Sequence, residues 1–135
     1  MKKYIVLVTF LCGFFAMGQG LLERNVGDFH EIKVYDLIAV NLIKSNDNKV
    51  MIKGPHANDI QLINKDGVLK VRMMLEKKFQ GENTFVEVYY KDLDVIDGNE
   101  GARITANELI AQTSLNLRVQ EGAEIRLGLE VDYLS

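Results

Sequence analysis

The sequence has no tryptophan, one cysteine and one proline. A single thiol, Cys12, cannot close a disulfide within the chain. It sits inside an N-terminal apolar run, too early for a lipoprotein signal and preceded by the bulky Leu11 where a small residue would be needed. Cys12 is therefore read as part of a leader that is removed. The mature chain then has neither a disulfide nor a thiol nucleophile, and in an oxidising compartment burial and backbone pairing alone hold it together. An excess of positive charge is also missing: 16 Lys and Arg face 19 Asp and Glu, for a net charge of −3. The leader carries Lys2 and Lys3 and no acid, so the processed chain is more acidic still. That balance argues against nucleic acid, which needs a basic stripe to displace counterions from phosphates. It argues equally against electrostatic docking on anionic lipid. Histidine is scarce, and His30 and His56 have no Cys, His or acidic partner at metal-ligand spacing. No nucleophile-elbow glycine pattern accompanies them, so both are read as surface residues. No cofactor is called for.

The N-terminus carries the clearest signal. Lys2-Lys3 is a positive start, and Tyr4 to Met17 is apolar apart from Thr9 and Gly13. Ala16 and Gly18 are small residues spaced like the two specificity positions of a cleavage site. The apolar stretch is short for a bilayer, which takes roughly 20 residues. This pattern predicts a signal peptide over residues 1–18, a short N-terminal segment over 19–25, and no stable membrane span after cleavage. An uncleaved anchor is the alternative.

Beyond the leader no stretch keeps a helical period, and alternation of apolar and polar residues dominates, which is the strand signal. It runs through Phe29-His30-Glu31-Ile32-Lys33-Val34 and continues over Val40 and Leu42. Asn46-Asp47-Asn48 predicts a turn and Val50-Met51-Ile52 a short strand. Pro55 to Asp59 is a break with room for one helical turn. Ile60–Ile63 and Val68–Met73 flank Lys65-Asp66-Gly67, an antiparallel hairpin sequence in which glycine supplies the positive φ. Phe79 to Asn83 reads as a connection, and Thr84 to Tyr90 as another strand.

The second half repeats. Leu93-Asp94-Val95 aligns with Leu115-Asn116-Leu117, and Glu100-Gly101-Ala102-Arg103-Ile104 with Glu121-Gly122-Ala123-Glu124-Ile125, a period of about 21 residues. A unit of this length cannot bury an apolar face alone, but stacked copies can, which is the logic of a β-solenoid. Gly-Ala suits a tight corner packed against the next coil. An ordinary antiparallel sandwich is the alternative architecture.

The order of these features resembles the auto-transporter adhesin head domain, the GIN domain, of exported envelope proteins in Bacteroidetes-type bacteria. Its marks are Phe29 to Val34 with Val40-Asn41-Leu42, then Gly67-Val68-Leu69-Lys70-Val71. Leu93, Gly101-Ala102, Leu115 and Gly122-Ala123-Glu124-Ile125 follow. The resemblance covers residues 26–135. It implies a right-handed β-helix-like fold and export to the periplasm or cell surface, and it brings no established catalytic or binding residues. Members of that family usually continue through more Gly-Ala coils, so the domain is expected to be C-terminally truncated here. Leu127, Leu129, Val131 and Leu134 read as the start of a further coil. Its open edge is expected to invite self-association.

The fold class expected is thus all-β, a right-handed β-helix or solenoid with an N-terminal antiparallel hairpin region. Asp92, Asp94 and Asp97, with Asn99 and Glu100, offer oxygen ligands, but their spacing matches no EF-hand loop or Ca²⁺-binding nonapeptide. They are read as solvated corner residues. As a carboxylate pair for glycoside cleavage, Asp92 and Asp94 would share a strand face, with nothing to suggest burial. In the strand Thr84–Tyr90, Val86, Val88 and Tyr90 should point to the core and Phe85, Glu87 and Tyr89 away from it. The second set mixes aromatic and charged groups, as a ligand-contacting face does. Packing against a neighbouring strand is the simpler reading. The expected function is a non-enzymatic, adhesin-like binding or scaffold domain for an envelope or surface ligand, protein or glycan. The alternative is a glycan-binding or glycan-cleaving β-helix protein.

Overall fold

The computed structural model describes residues 21–135, so the expected signal peptide lies outside the described residues. The described chain is all-β, with twelve strands and two single 3-10 turns. Along the chain these are β1 (Leu21–Asn25), β2 (Glu31–Val34), β3 (Ala39–Lys44), β4 (Lys49–Lys53), β5 (Ile60–Lys65), β6 (Val68–Met73), β7 (Phe85–Tyr90), β8 (Val95–Gly98), β9 (Arg103–Ala106), β10 (Ile110–Val119), β11 (Glu124–Arg126) and β12 (Leu129–Leu134). They form two six-stranded sheets. The first runs β1-β4-β7-β3-β9-β11 and the second β12-β10-β8-β2-β6-β5.

The chain crosses from the second sheet to the first in a repeated step. β2 leads to β3, β6 to β7, β8 to β9 and β10 to β11. These four two-strand units pair in parallel with their neighbours in both sheets. β12 then adds a parallel strand beside β10, as the apolar residues after the second Gly-Ala corner suggested. Antiparallel pairing is confined to one end, where β4 returns along β7, β1 along β4, and β5 along β6. The mixture excludes a purely antiparallel sandwich. The edge strand β1 is formed by Leu21–Asn25, within the segment 19–25 expected only as a short N-terminal stretch.

Alternation places the core. Ile32 is aligned with Leu69 on one side and Ile96 on the other, and Ile96 with Leu117. In the first sheet Val40 lies between Val86 and Ile104. Of these, Ile32, Leu69, Ile96, Val40, Val86 and Ile104 are buried and join one cluster spanning both sheets. Each such aliphatic side chain contributes roughly 1.5–3 kcal/mol by leaving water. The hairpin at Asp66-Gly67 is as expected: both residues have positive φ, 53° and 79°, which suits the right-handed twist of the flanking strands.

The corners differ from the expectation in one respect. The turn occurs three times, not twice. Glu100-Gly101 and Glu121-Gly122 both take left-handed backbone angles, and so does Asp36-Leu37, with φ of 59° and 63°. The three turns stack: the Leu37 N–H donates to the Glu100 carbonyl at 3.0 Å and the Gly101 N–H to the Glu121 carbonyl at 3.0 Å. The repeat alignment also needs correcting by one residue at the leucines. Val95 pairs with Asn116 and Ile96 with Leu117, so the strand offset equals the Gly101 to Gly122 offset throughout.

Candidate functional site

The outer face of the first sheet carries a shallow concave feature with mixed chemistry. Register brings Phe85, Ala39 and Arg103 into one row across three strands. Glu87, Asn41 and Thr105 form the next row. Ala39 is the small residue between two long ones, so the surface dips over its methyl group. The depression measures about 510 Å³ and is lined by Ala39, Asn41, Lys53, Phe85, Glu87, Arg103 and Thr105, with the edges of Val40 and Val86 beneath. Phe85 is 57% exposed, far above the usual state of a phenylalanine.

The three residues expected to form a contact face do not behave alike. Val86, Val88 and Tyr90 are buried, and Phe85, Glu87 and Tyr89 are on the opposite side, as the alternation requires. Phe85 and Glu87 line the depression, whereas Tyr89 does not. Glu87 accepts a hydrogen bond from Lys53 Nζ at 2.8 Å and another from the Tyr89 hydroxyl at 3.1 Å. The bond from Lys53 holds the Glu87 carboxyl below its ordinary range, and the bond to Glu87 raises the Tyr89 phenol. Lys49 Nζ lies 4.8 Å from the centre of the Tyr89 ring and covers it. Tyr89 is thus spent on its neighbours, while Phe85 is open. Among the described residues, the Arg103 guanidinium and the Asn41 amide N–H make no hydrogen bond to the protein; Asn41 only accepts, from Thr105 at 3.3 Å. Ala39, Asn41, Arg103 and Thr105 were missed by sequence reasoning, because only strand register brings them beside Phe85.

The acids of the first repeated corner divide between surface and interior. Asp92 and Asp94 were expected to share a strand face; they lie in the bend before β8 and are exposed. Asp97 and Asn99, expected as solvated corners, are buried. Asn99 donates to the Asp97 carboxylate at 2.9 Å and accepts from the Gln120 amide, so these groups pin adjacent turns together. Buried polar groups need such partners. Asp97 is thus buried among the stacked turns, whereas Asp92 and Asp94 are exposed. Among the described residues no group of three or more His, Cys, Asp or Glu could hold a metal ion. His56 contacts Asp59 at 3.3 Å, a local pair within one turn, and the ring of His30 lies against Gly67.

A second acidic arrangement belongs to the stacked turns. Asp36 is buried; one carboxylate oxygen accepts from the Met73 N–H at 3.0 Å and the other has no protein partner. Glu100, in the turn stacked on it, is raised above the usual carboxylate range, first by a hydrogen bond shared with Asp36 and then by burial. Lys78 Nζ, 3.5 Å from Glu100, opposes that shift. The raised Glu100 carboxyl favours its protonated form, which can donate to the Asp36 oxygen that has no other partner.

The described residues thus build an all-β scaffold with a shallow surface depression of mixed chemistry. Residues 28–135 match the family described as "Putative auto-transporter adhesin, head GIN domain", and the chain belongs to that family. No curated protein gives a match. Among solved structures, the fold is similar to a "putative adhesin" from Bacteroides fragilis, with a TM-score of 0.74 and 17% identity, covering 86% of this chain and 57% of that one. A "putative adhesin" from Parabacteroides distasonis is similar at a TM-score of 0.60 and 21% identity, covering 87% of this chain and 61% of that one. A "putative lipid binding protein" from the same species is similar at 0.59 and 12% identity, covering 84% and 60%. The chain spans less than two thirds of the length of each. At these identities the likeness establishes the fold. No helix among the described residues is long and apolar enough to cross a membrane.

Proposed function

We propose that this chain is the non-catalytic binding module of an exported envelope protein, and that it meets a glycan ligand with the outer face of its first sheet. The four stacked parallel units support a solenoid, β-helix-like reading of the scaffold, whose outward residues vary without disturbing the core. The adhesin label of the family supports attachment over turnover, and the dispersed acids Asp92, Asp94 and Asp97 supply no carboxylate pair. The leader pattern of Lys2-Lys3 and Tyr4–Met17 supports export to the periplasm or cell surface.

One observation carries the glycan reading: the exposed Phe85 ring beside a small floor, Ala39, and unspent polar groups on Asn41 and Arg103. Sugars offer an apolar ring face to an aromatic and hydroxyls to short polar side chains, in shallow rather than enclosed sites. The test is a glycan array followed by titration calorimetry with Phe85→Ala. Affinity for the selected glycan is expected to fall at least about tenfold, roughly the value of one stacking contact, with the melting temperature unchanged. Undiminished binding by that variant would move the ligand away from this face. Release of reducing ends from any bound glycan would replace attachment with cleavage.

A further inference from the structure

We infer that the depression over Ala39 selects an acidic sugar, a uronic acid unit whose carboxylate rests on the Arg103 guanidinium while its ring stacks on Phe85. The inference rests on the proposed glycan-binding reading and adds the sign of the ligand's charge.

The argument begins with which charges are already answered. Lys53 is paired with Glu87 at 2.8 Å. Glu124 stands opposite Arg103 in the register, but its carboxylate is taken by Arg126. Among the described residues no acid lies within ion-pair distance of Arg103. The lining of the depression therefore carries one unanswered positive charge, on a chain whose net charge is −3. An exposed cation beside an apolar ring, in an otherwise acidic molecule, is complementary to an anion that also has an apolar face. Arg103 is suited to a carboxylate because its planar fork can donate two parallel hydrogen bonds.

Geometry narrows the ligand further. Phe85 and Arg103 occupy the same row on strands either side of β3, so their backbones are about 9.5 Å apart, twice the spacing of neighbouring strands. Only the Ala39 methyl rises between them. A single pyranose ring fits that gap, and its carboxylate, projecting from the ring edge, reaches the guanidinium. Asn41 and Thr105, one row further along the strands, face the hydroxyls of the same ring or of the next sugar. A phospholipid headgroup would satisfy Arg103 as well, but the depression is open and gives an acyl chain no enclosed channel.

The experiment titrates the full chain with oligosaccharides containing glucuronic, galacturonic, mannuronic or guluronic acid, and with their carboxyl-reduced neutral counterparts. Phosphatidylglycerol vesicles form a separate arm. At least one acidic oligosaccharide is expected to bind about tenfold or more tighter than its reduced form, with the preference shrinking as salt rises. Arg103→Gln is expected to abolish the preference and leave weak, equal binding of both forms. Arg103→Lys should restore part of it, and Phe85→Ala should weaken both forms alike. Phe85 and Arg103 are exposed, so unchanged melting curves will confirm that the variants are folded. Equal binding of acidic and reduced forms by the unaltered chain, or a preference that survives Arg103→Gln, overturns the acidic-sugar assignment and leaves the glycan face standing. Binding of vesicles with no binding of any saccharide overturns both.

Discussion

The central and the terminal units of the stack are built to one pattern and buried very differently. The unit β2–β3 has a parallel neighbour on each side in both sheets, and Ile32, Val34, Val40 and Leu42 are almost wholly buried. In the last unit, Ile125, Leu127, Leu129 and Val131 only pack partly against the core, and Tyr133 and Leu134 are exposed at 72% and 56%. The residue types and the alternation are the same. In stacked units, then, burial is given by neighbours and not by a segment's own sequence, and stability should be graded along the axis.

The largest test of that grading is a pair of core truncations. Ile32→Ala leaves a hole with a neighbour on every side and is expected to cost about 2–5 kcal/mol. Ile125→Ala, at the partly open end, should cost about 1 kcal/mol or less. Denaturant melts of both variants measure the difference, and equal losses would show that the stack behaves as one uniform body.

The next effect compares two glycines in the same turn. Gly101 and Gly122 have nearly the same φ, 73° and 76°, so alanine is strained at both by about 1–2 kcal/mol. A Cβ at Gly101 would also collide with the Leu37 side chain stacked above it, whereas one at Gly122 would meet nothing within 4 Å. Gly101→Ala should therefore destabilise more than Gly122→Ala. Combining it with Leu37→Ala should remove the excess, and a persistent excess in the double variant would detach it from the Leu37 contact.

The pairing of Glu100 with Asp36 gives a smaller, pH-dependent effect. The folded pKa of Glu100 is raised, chiefly by its hydrogen bond to Asp36. The stability it contributes is full below its unfolded pKa and is lost as the pH rises through the folded one. Glu100→Gln, whose amide can donate to Asp36 at any pH, should flatten that decline and raise stability at neutral pH by about 1 kcal/mol. Melting temperatures from pH 4 to pH 8 follow it; an unaltered slope would mean that Glu100 does not donate to Asp36.

The smallest effect on folding concerns the terminal edge. β12 and β11 are the last strands of their sheets among the described residues. Their outer N–H and C=O groups are free to pair with another copy. The chain is expected to sediment as more than a monomer at high concentration, and Tyr133→Lys, at an exposed position of β12, to shift it toward monomer with little change in melting. A monodisperse monomer at high concentration would remove edge pairing as a property of this end.

Much of the architecture is written locally. Asp66-Gly67 marks its hairpin, and alternation sorts Val86, Val88 and Tyr90 from Phe85, Glu87 and Tyr89. The third copy of the corner turn was hidden because Leu37 occupies a left-handed position that glycine marks in the other two. Asp97 and Asn99 look like corner residues, and only the stacking of Gln120 on Asn99 reveals why they are buried. The depression was half legible. Phe85 and Glu87 lie on one strand and show in its period, whereas Ala39 and Arg103 join them through pairings between distant segments that no local pattern encodes.

Those distant pairings also set an order of events. β2–β3 comes early in the chain but lies between β6–β7 and β8–β9. As the polypeptide emerges from its N-terminus, only the antiparallel contacts of β1 with β4 and of β5 with β6 close over short spans of sequence. The innermost unit gains its first flank only when residues up to Tyr90 are available, and its second only with residues up to Ala106. Folding that depends on such late closures has a high contact order and is slow. A newly made chain therefore cannot complete its innermost unit until most of it has been synthesised.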